Sequence, residues 1–392
     1  MTQMPAPTTR YAAVQASYWS AFCMIILFAS AYLLDAGLSN GQVGAVIACG
    51  GGLSAVLQPV VAGAADRSRR VPLRVWAGWV GMLILVVAAI LVVPGLHWLL
   101  TAVFFGLMIL SIQLLQPLVN ALGMGAAARG IPLNFGIARA AGSATFALVS
   151  VVAGWVVASA GTVMVPLLVI AFQALFLVAT LTFVSRGPAT VVATGAEHDL
   201  EPPSEPMTPA RWRRFFALLA GITLSMTSHA MINNYMLQIM RHHGGDTGEM
   251  GTAIMIAAIT ELPVMVLWSR VVARWTPGRL LQVAGVFFTV KTGATWLAAG
   301  VVGVYAAQVL QTLAFAVMVM ASVYYVERIL PARDRTRGQA FMTMTSSGGS
   351  VLGSLTAGVL LDATSVPAML LVGTLIAAVG AVLTVVAVES RI

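Results

Sequence analysis

The run Gln58-Pro59-Val60-Val61-Ala62-Gly63-Ala64-Ala65-Asp66-Arg67 carries a proline inside an apolar stretch and, seven residues on, a charge, with Arg69 and Arg70 next. A second run, from Glu261-Leu262-Pro263 to Arg270, has the same spacing, with Arg274 and Arg279 next. Each run closes an apolar segment long enough to cross a bilayer. One design at the same place in two series of apolar segments marks a chain of two related halves, an arrangement used by membrane transporters.

Composition agrees. Of 392 residues, 59% are hydrophobic and 9% charged, too little polar surface to cover a water-soluble globule of this size. A spanning helix takes roughly 20 apolar residues, so the chain has room for about twelve spans and no extramembrane catalytic domain. Apolar runs bounded by charge, Pro or Gly fall at 11–34, 42–61, 75–93, 99–126, 135–160 and 163–184, then at 215–240, 250–267, 280–299, 302–326, 340–361 and 366–388. The expected fold is therefore an all-α membrane protein of twelve helices in two pseudo-symmetric halves, 1–185 and 215–392. The polar, proline-bearing stretch 186–214 reads as a cytoplasmic linker. The first apolar run lacks a small-residue cleavage site and reads as a retained helix.

Assigning alternate loops to opposite sides puts eighteen of the 21 cations on one side and Arg241 alone on the other. By the positive-inside rule both termini face the cytoplasm, in a bacterial inner membrane. The same rule accounts for the net charge of +8 without nucleic acid, because the arginines are spread over several short loops. Cys23 and Cys49 both sit in apolar runs and have no disulfide or metal-ligand pattern. No phosphate-binding glycine loop with lysine is present, so neither ATP nor another cofactor is expected to drive the protein.

The loop Gly63-Ala64-Ala65-Asp66-Arg67-Ser68-Arg69-Arg70 resembles the major facilitator signature between the second and third helices. There an aspartate and the following cations tie helix ends together, which implies that role for Asp66, Arg67 and Arg70. The signature's glycines fall here at Ala62 and Arg69. A narrower resemblance, to the lactose permease and phenylpropionate transporter branch, is carried by Leu57-Gln58-Pro59, Phe135-Gly136-Ile137-Ala138-Arg139, Ser228-His229-Ala230, Thr260-Glu261-Leu262 and Val290-Lys291. It implies that Arg139 contacts substrate. The acidic partner of that arginine is replaced by Asn120, the sugar-stacking aromatic by Phe146, and the proton-site histidine and glutamate of the tenth helix by Ala314 and Val317. These departures point away from lactose, and any proton coupling must use other residues.

The polar residues within spans supply candidates. Glu261 is the only acid well inside a span, where a carboxyl is costly unless paired, protonated or facing water. Burial favours a neutral carboxyl, as a proton carrier requires, whereas a neighbouring cation favours the charged form; a fixed ion pair is the plainer reading. Lys291 is the chain's only lysine. It has three readings: counter-ion to Glu261, ligand for an anionic substrate, or charge at a helix end. Ser225, His229 and Asn233 recur every four residues on one helix face, with Asn234 and Tyr235 beside them. His229 can carry a proton, although a histidine that only bonds a neighbouring helix would look the same. Gln58, Gln113, Gln116, Asn120, Gln308 and Gln311 add neutral donors and acceptors. His242, His243, Asp246 and Glu249 read as a solvated loop rather than a metal site.

These features predict a secondary active transporter, not an enzyme, that moves a small polar organic solute such as a sugar, nucleoside or aromatic acid with protons, by alternating access. Expected substrate contacts are Asn120, Arg139, Phe146, His229, Asn233 and Lys291; expected proton-coupling groups are Glu261 and His229. The partners are the solute, protons and the lipid bilayer, and one chain suffices as a monomer. Proton-driven efflux of drugs or metabolites is the alternative. A non-transport membrane enzyme or receptor is a third reading, which lacks a paired nucleophile and base.

Overall fold

The computed structural model describes residues 6–68, 70–129, 131–183 and 208–389, and among them every regular element is a helix. The first unit contains α1 (Ala6–Leu27), α2 (Ala29–Asp35), α3 (Asn40–Arg67), α4 (Leu73–Leu91), α5 (Trp98–Ala128), α6 (Phe135–Ala160) and α7 (Met164–Thr182). The second contains α8 (Pro209–Asn234), α9 (Met236–His242), α10 (Thr247–Val266), α11 (Trp268–Val272), α12 (Pro277–Trp296), α13 (Val301–Val309), a π-turn (Thr312–Ala316), α14 (Val317–Ile329), α15 (Ala332–Ala363) and α16 (Val366–Ala387). Eight of the described helices are long and apolar enough to cross a membrane, or nine if α1 and α2, bent by 47°, form one span. Joined across their short breaks, the described helices are compatible with twelve spans.

The chain divides into two compact units, Met1–Ala196 and Glu197–Ile392. Each has the same internal neighbours. In the first, α1 packs along α6 and α7, while α4 packs on α5 and α7 and α3 on α5. In the second, α8 packs along α15 and α16, while α12 packs on α14 and α16 and α10 on α13. The repeat seen at Pro59 and Pro263 thus extends to the packing of whole helices. Of the linker 186–214, residues 186–207 lie outside the described residues. Residues 209–214 are helical and not linker: Thr208 accepts a hydrogen bond from the Arg211 amide at 3.3 Å and Pro209 occupies the first turn. A proline there costs no hydrogen bond, so α8 starts well before the apolar residues at which the sequence places it.

Breaks occur where a local cause exists. The seventh span is interrupted at Tyr235, whose backbone (φ −120°, ψ 25°) leaves the helix while its buried hydroxyl donates to the Ser354 carbonyl on α15 at 2.8 Å. Asn234 donates to the Ser354 hydroxyl at 2.7 Å. These two residues therefore join α8 to α15. Small residues let α15 approach α8 closely: a Cβ at Gly353 would collide with the Thr227 carbonyl of α8.

Asp246 and Glu249 form a capping box that starts α10. Asp246 accepts from the Gly248 amide at 2.6 Å and Glu249 from the Asp246 amide at 2.8 Å. Two orphan amides are thereby satisfied, and the acids of this loop are committed to the helix. Replacing Asp246 with Ala is expected to lower stability by about 1 kcal/mol, read as a lower midpoint of thermal unfolding in detergent, with no further loss when His242 is also changed to Ala.

Candidate functional site

In the second unit, α10, α12 and the tenth-span helix bring three polar side chains together. Lys291, 1% exposed, extends from α12 and its ammonium donates to the amide oxygen of Gln311. Gln311, itself 4% exposed, also lies against the carboxyl of Glu261 on α10. With the amide oxygen taken by Lys291, the amide nitrogen is the group left to donate toward Glu261. The sequence left Lys291 and Glu261 as a possible ion pair; the structure stands a neutral amide between them. Both charges are thus answered inside the protein without direct contact, which suits a region where an unpartnered charge is costly.

The same place has a second connection. Directly after Gln311 the backbone widens into the π-turn, a form common at functional sites and rare elsewhere. Thr312, its first residue, donates to the Thr260 carbonyl at 2.6 Å, next to Glu261. Phe315, in the same turn, stacks on the His229 ring with centroids 4.7 Å apart and planes at 15°, and Phe288 of α12 meets that ring edge-on at 5.9 Å. His229 Nε2 and Asn233 Nδ2 are 2.8 Å apart, while His229 Nδ1 and Asn233 Oδ1 are buried without a hydrogen-bond partner. Buried polar atoms are nearly always paired, so these two keep unused hydrogen-bonding capacity. Ser225 leaves the expected stripe, since it bonds the Gly221 carbonyl of its own helix.

In the first unit Arg139 lies on α6, its guanidinium carbon 4.1 Å above the Trp19 ring, with one nitrogen donating to Ser143 at 2.9 Å. Arginine over indole is an attractive cation–π arrangement. Trp19 is fixed by a chain of hydrogen bonds: its indole N–H to Gln15 at 3.1 Å, Gln15 to the Tyr11 hydroxyl at 2.7 Å, and Tyr11 to the Val119 carbonyl of α5 at 2.9 Å. Gly142 makes room, because a Cβ there would run into the indole. Phe22 and Phe146 lie at 5.0 and 6.3 Å from Trp19. Among the described residues no carboxylate pairs with Arg139, and Asn120, half-buried on α5, makes no hydrogen bond to it.

The loop after α3 is less informative. The side chain of Asp66 and all of Arg69 lie outside the described residues. Arg67 donates to the Gly63 carbonyl of its own helix at 2.9 Å, and Arg70 is exposed. A small cavity in the second unit is lined by Met226, Met318, Ser322, Met342 and Ser346 among others, and by none of the residues singled out from sequence. Among the described residues no group of three or more His, Cys, Asp or Glu could hold a metal ion.

Comparison with known proteins places this architecture. Residues 9–371 match the MFS_1 like family. The chain belongs to that family. It is an integral membrane transporter of the major facilitator kind. A Deinococcus radiodurans protein named as a sugar efflux transporter is 26% identical over 202 residues, which are 48% of this chain and 50% of the relative. The chain therefore spans about half the length of that curated relative. Among solved structures, the nucleoside transporter NupG aligns over 98% of each chain with a TM-score of 0.77 at 15% identity. A bacterial homologue of the iron transporter ferroportin aligns over 98% of this chain and 99% of its own with a TM-score of 0.75 at 14% identity. At such identities these structures share the fold and no more.

Within the family frame, the sequence missed Gln311. It appears there only among neutral side chains in helix interiors, and the resemblance directs attention three residues further on, to Ala314. Its one available signal is Thr312-Leu313-Ala314-Phe315, a polar and aromatic punctuation of an otherwise aliphatic span. Changing Lys291 to Met should cost roughly 3 kcal/mol, since it strands the Glu261 carboxyl, and adding Glu261→Gln should recover at least half. Unfolding of the native, single and double variants in detergent measures both terms; equal loss in the double variant would dissolve the linkage.

Proposed function

We propose that this chain is a proton-coupled secondary transporter of a small polar organic solute, working by symport. The observation that carries the reading is the set Lys291, Gln311 and Glu261: a carboxyl within a span with a cation held one amide away. The carboxyl is stable as an anion while the amide and ammonium face it, and stable as a neutral acid because burial penalises charge. That is the requirement for a group that takes up a proton on one side of a membrane and gives it up on the other.

His229 and Asn233, with their unpartnered Nδ1 and Oδ1 atoms, offer a donor and an acceptor to a solute beside the aromatic face of Phe315. Arg139 on Trp19, with Phe146 near, offers a second set of donors with an aromatic wall. Hydroxyl-rich rings and planar heterocycles both suit such groups, which favours sugars, nucleosides and aromatic acids over simple ions. In this reading the protein sits in the cytoplasmic membrane with both termini inside, acts as a monomer, and uses Asp66, Arg67 and Arg70 at helix ends in its conformational cycle.

A second reading, proton-driven export, is favoured by the name of the Deinococcus radiodurans relative. One experiment separates the two. In proteoliposomes with an internal pH dye, sugars, nucleosides and aromatic acids are added outside, with Glu261→Gln in parallel. Symport predicts internal acidification by one solute class and a loss of roughly tenfold or more in the variant. No acidification by any class, together with pH-gradient-driven uptake of solute into inverted vesicles, would replace symport by export.

A further inference from the structure

We propose that Gln311 and the π-turn after it form the link by which the charge state of Glu261 is transmitted to the His229 ring and its unpartnered polar atoms. The proposal rests on the proton-coupled reading above and deepens it by naming the part that couples.

Three contacts converge on this short segment. The Gln311 amide takes the Lys291 ammonium on its oxygen and faces the Glu261 carboxyl with its nitrogen. The amide dipole is therefore aligned with the charges on either side, and turning it over would set N–H groups against the ammonium. A hydrogen bond to a carboxylate is roughly twice as strong as one to a neutral acceptor. When Glu261 takes up a proton, the nitrogen end of Gln311 loses the charge assistance of that contact, and the Lys291 bond becomes the dominant hold on the side chain. Thr312, the next residue, is pinned to the Thr260 carbonyl at 2.6 Å, so α10 and the π-turn are joined beside the carboxyl that changes.

A π-turn holds one more residue than an α-helical turn and is a poor minimum in isolation. Resolving it into α-helix rotates the residues on one side by about 100° relative to the other. Phe315 lies inside the turn, so its stacking on His229 depends on the turn being present. A change at Gln311 thus moves the aromatic face that covers His229, without any side chain spanning the gap. Among the described residues, the charged and titratable groups that face the segment are Glu261 from α10, Lys291 from α12 and His229 from α8. Gln311 cannot titrate. In this scheme it is a positioning residue, and Glu261 holds the proton.

The alternative is that Gln311 only glues helices together. The two are separated by measuring the rate at which diethylpyrocarbonate modifies His229, site by site by mass spectrometry, on the full chain in detergent at one pH. Glu261→Gln serves as a permanently neutral Glu261. It is expected to change the His229 rate by roughly fivefold or more in the native background, and by less than about twofold in a Gln311→Leu background. Should Gln311→Leu fail to fold, Gln311→Asn keeps an amide too short to reach both partners and is expected to break the link equally. An effect of Glu261→Gln that persists in the Gln311 variants, or no effect of Glu261→Gln on His229, overturns the proposal. The reading does not depend on solute or on vesicles. A link that is present while Glu261→Gln leaves proton uptake intact would instead strike at the proton-coupled function.

Discussion

Water is absent from the hydrocarbon layer, so each polar group that enters it must find its partner within the chain. The organisation of this protein follows from that constraint. Most serines and threonines in the spans turn back to a carbonyl of their own helix, as Thr223, Thr292 and Thr374 do. Polar side chains that reach further fasten two helices, as Ser228 and Thr292 do at 2.9 Å and Gln58 does on the Gln113 carbonyl at 3.0 Å. Lys291 and Glu261 stand out because both face one amide, while His229 and Asn233 each keep a buried polar atom without a partner, as Gln173 and Gln308 do with both amide atoms.

The two halves meet the constraint differently. In the second, a cation and a carboxyl are held apart by an amide, so local charge is balanced. In the first, Arg139 is steadied by the face of an indole and one hydroxyl, with no counter-charge among the described residues. A repeated helical frame has thus been given two unlike interiors. The frame follows from apolar segments and small residues; the interiors follow from a few polar substitutions that leave helix packing unchanged.

This division also governs what the sequence revealed. Span positions were legible because hydrophobic length is a direct signal: 135–160 in the sequence and Phe135–Ala160 in the structure coincide. Glu261, Lys291 and Arg139 were legible because a charge in a bilayer is conspicuous. Gln311 was not, since glutamine in a span is as often helix glue as anything else. The start of α8 was misjudged because arginines in its first turn look like loop residues when only hydropathy is considered. The break at Tyr235 and the π-turn have no hydropathy mark; a tertiary contact accompanies each, Tyr235 with Ser354 and Phe315 with His229.

The extra residue in the π-turn has a consequence for how this chain is compared with its kin. A relative whose tenth helix is α-helical throughout differs by one position on one side of Thr312–Ala316. Bringing equivalent residues into register then requires a gap in the middle of a membrane helix, where gaps are least expected. An ungapped alignment keeps the helix intact and moves every residue before or after the turn to a neighbouring face. Correspondences drawn through this helix by counting along the chain therefore change meaning at that turn.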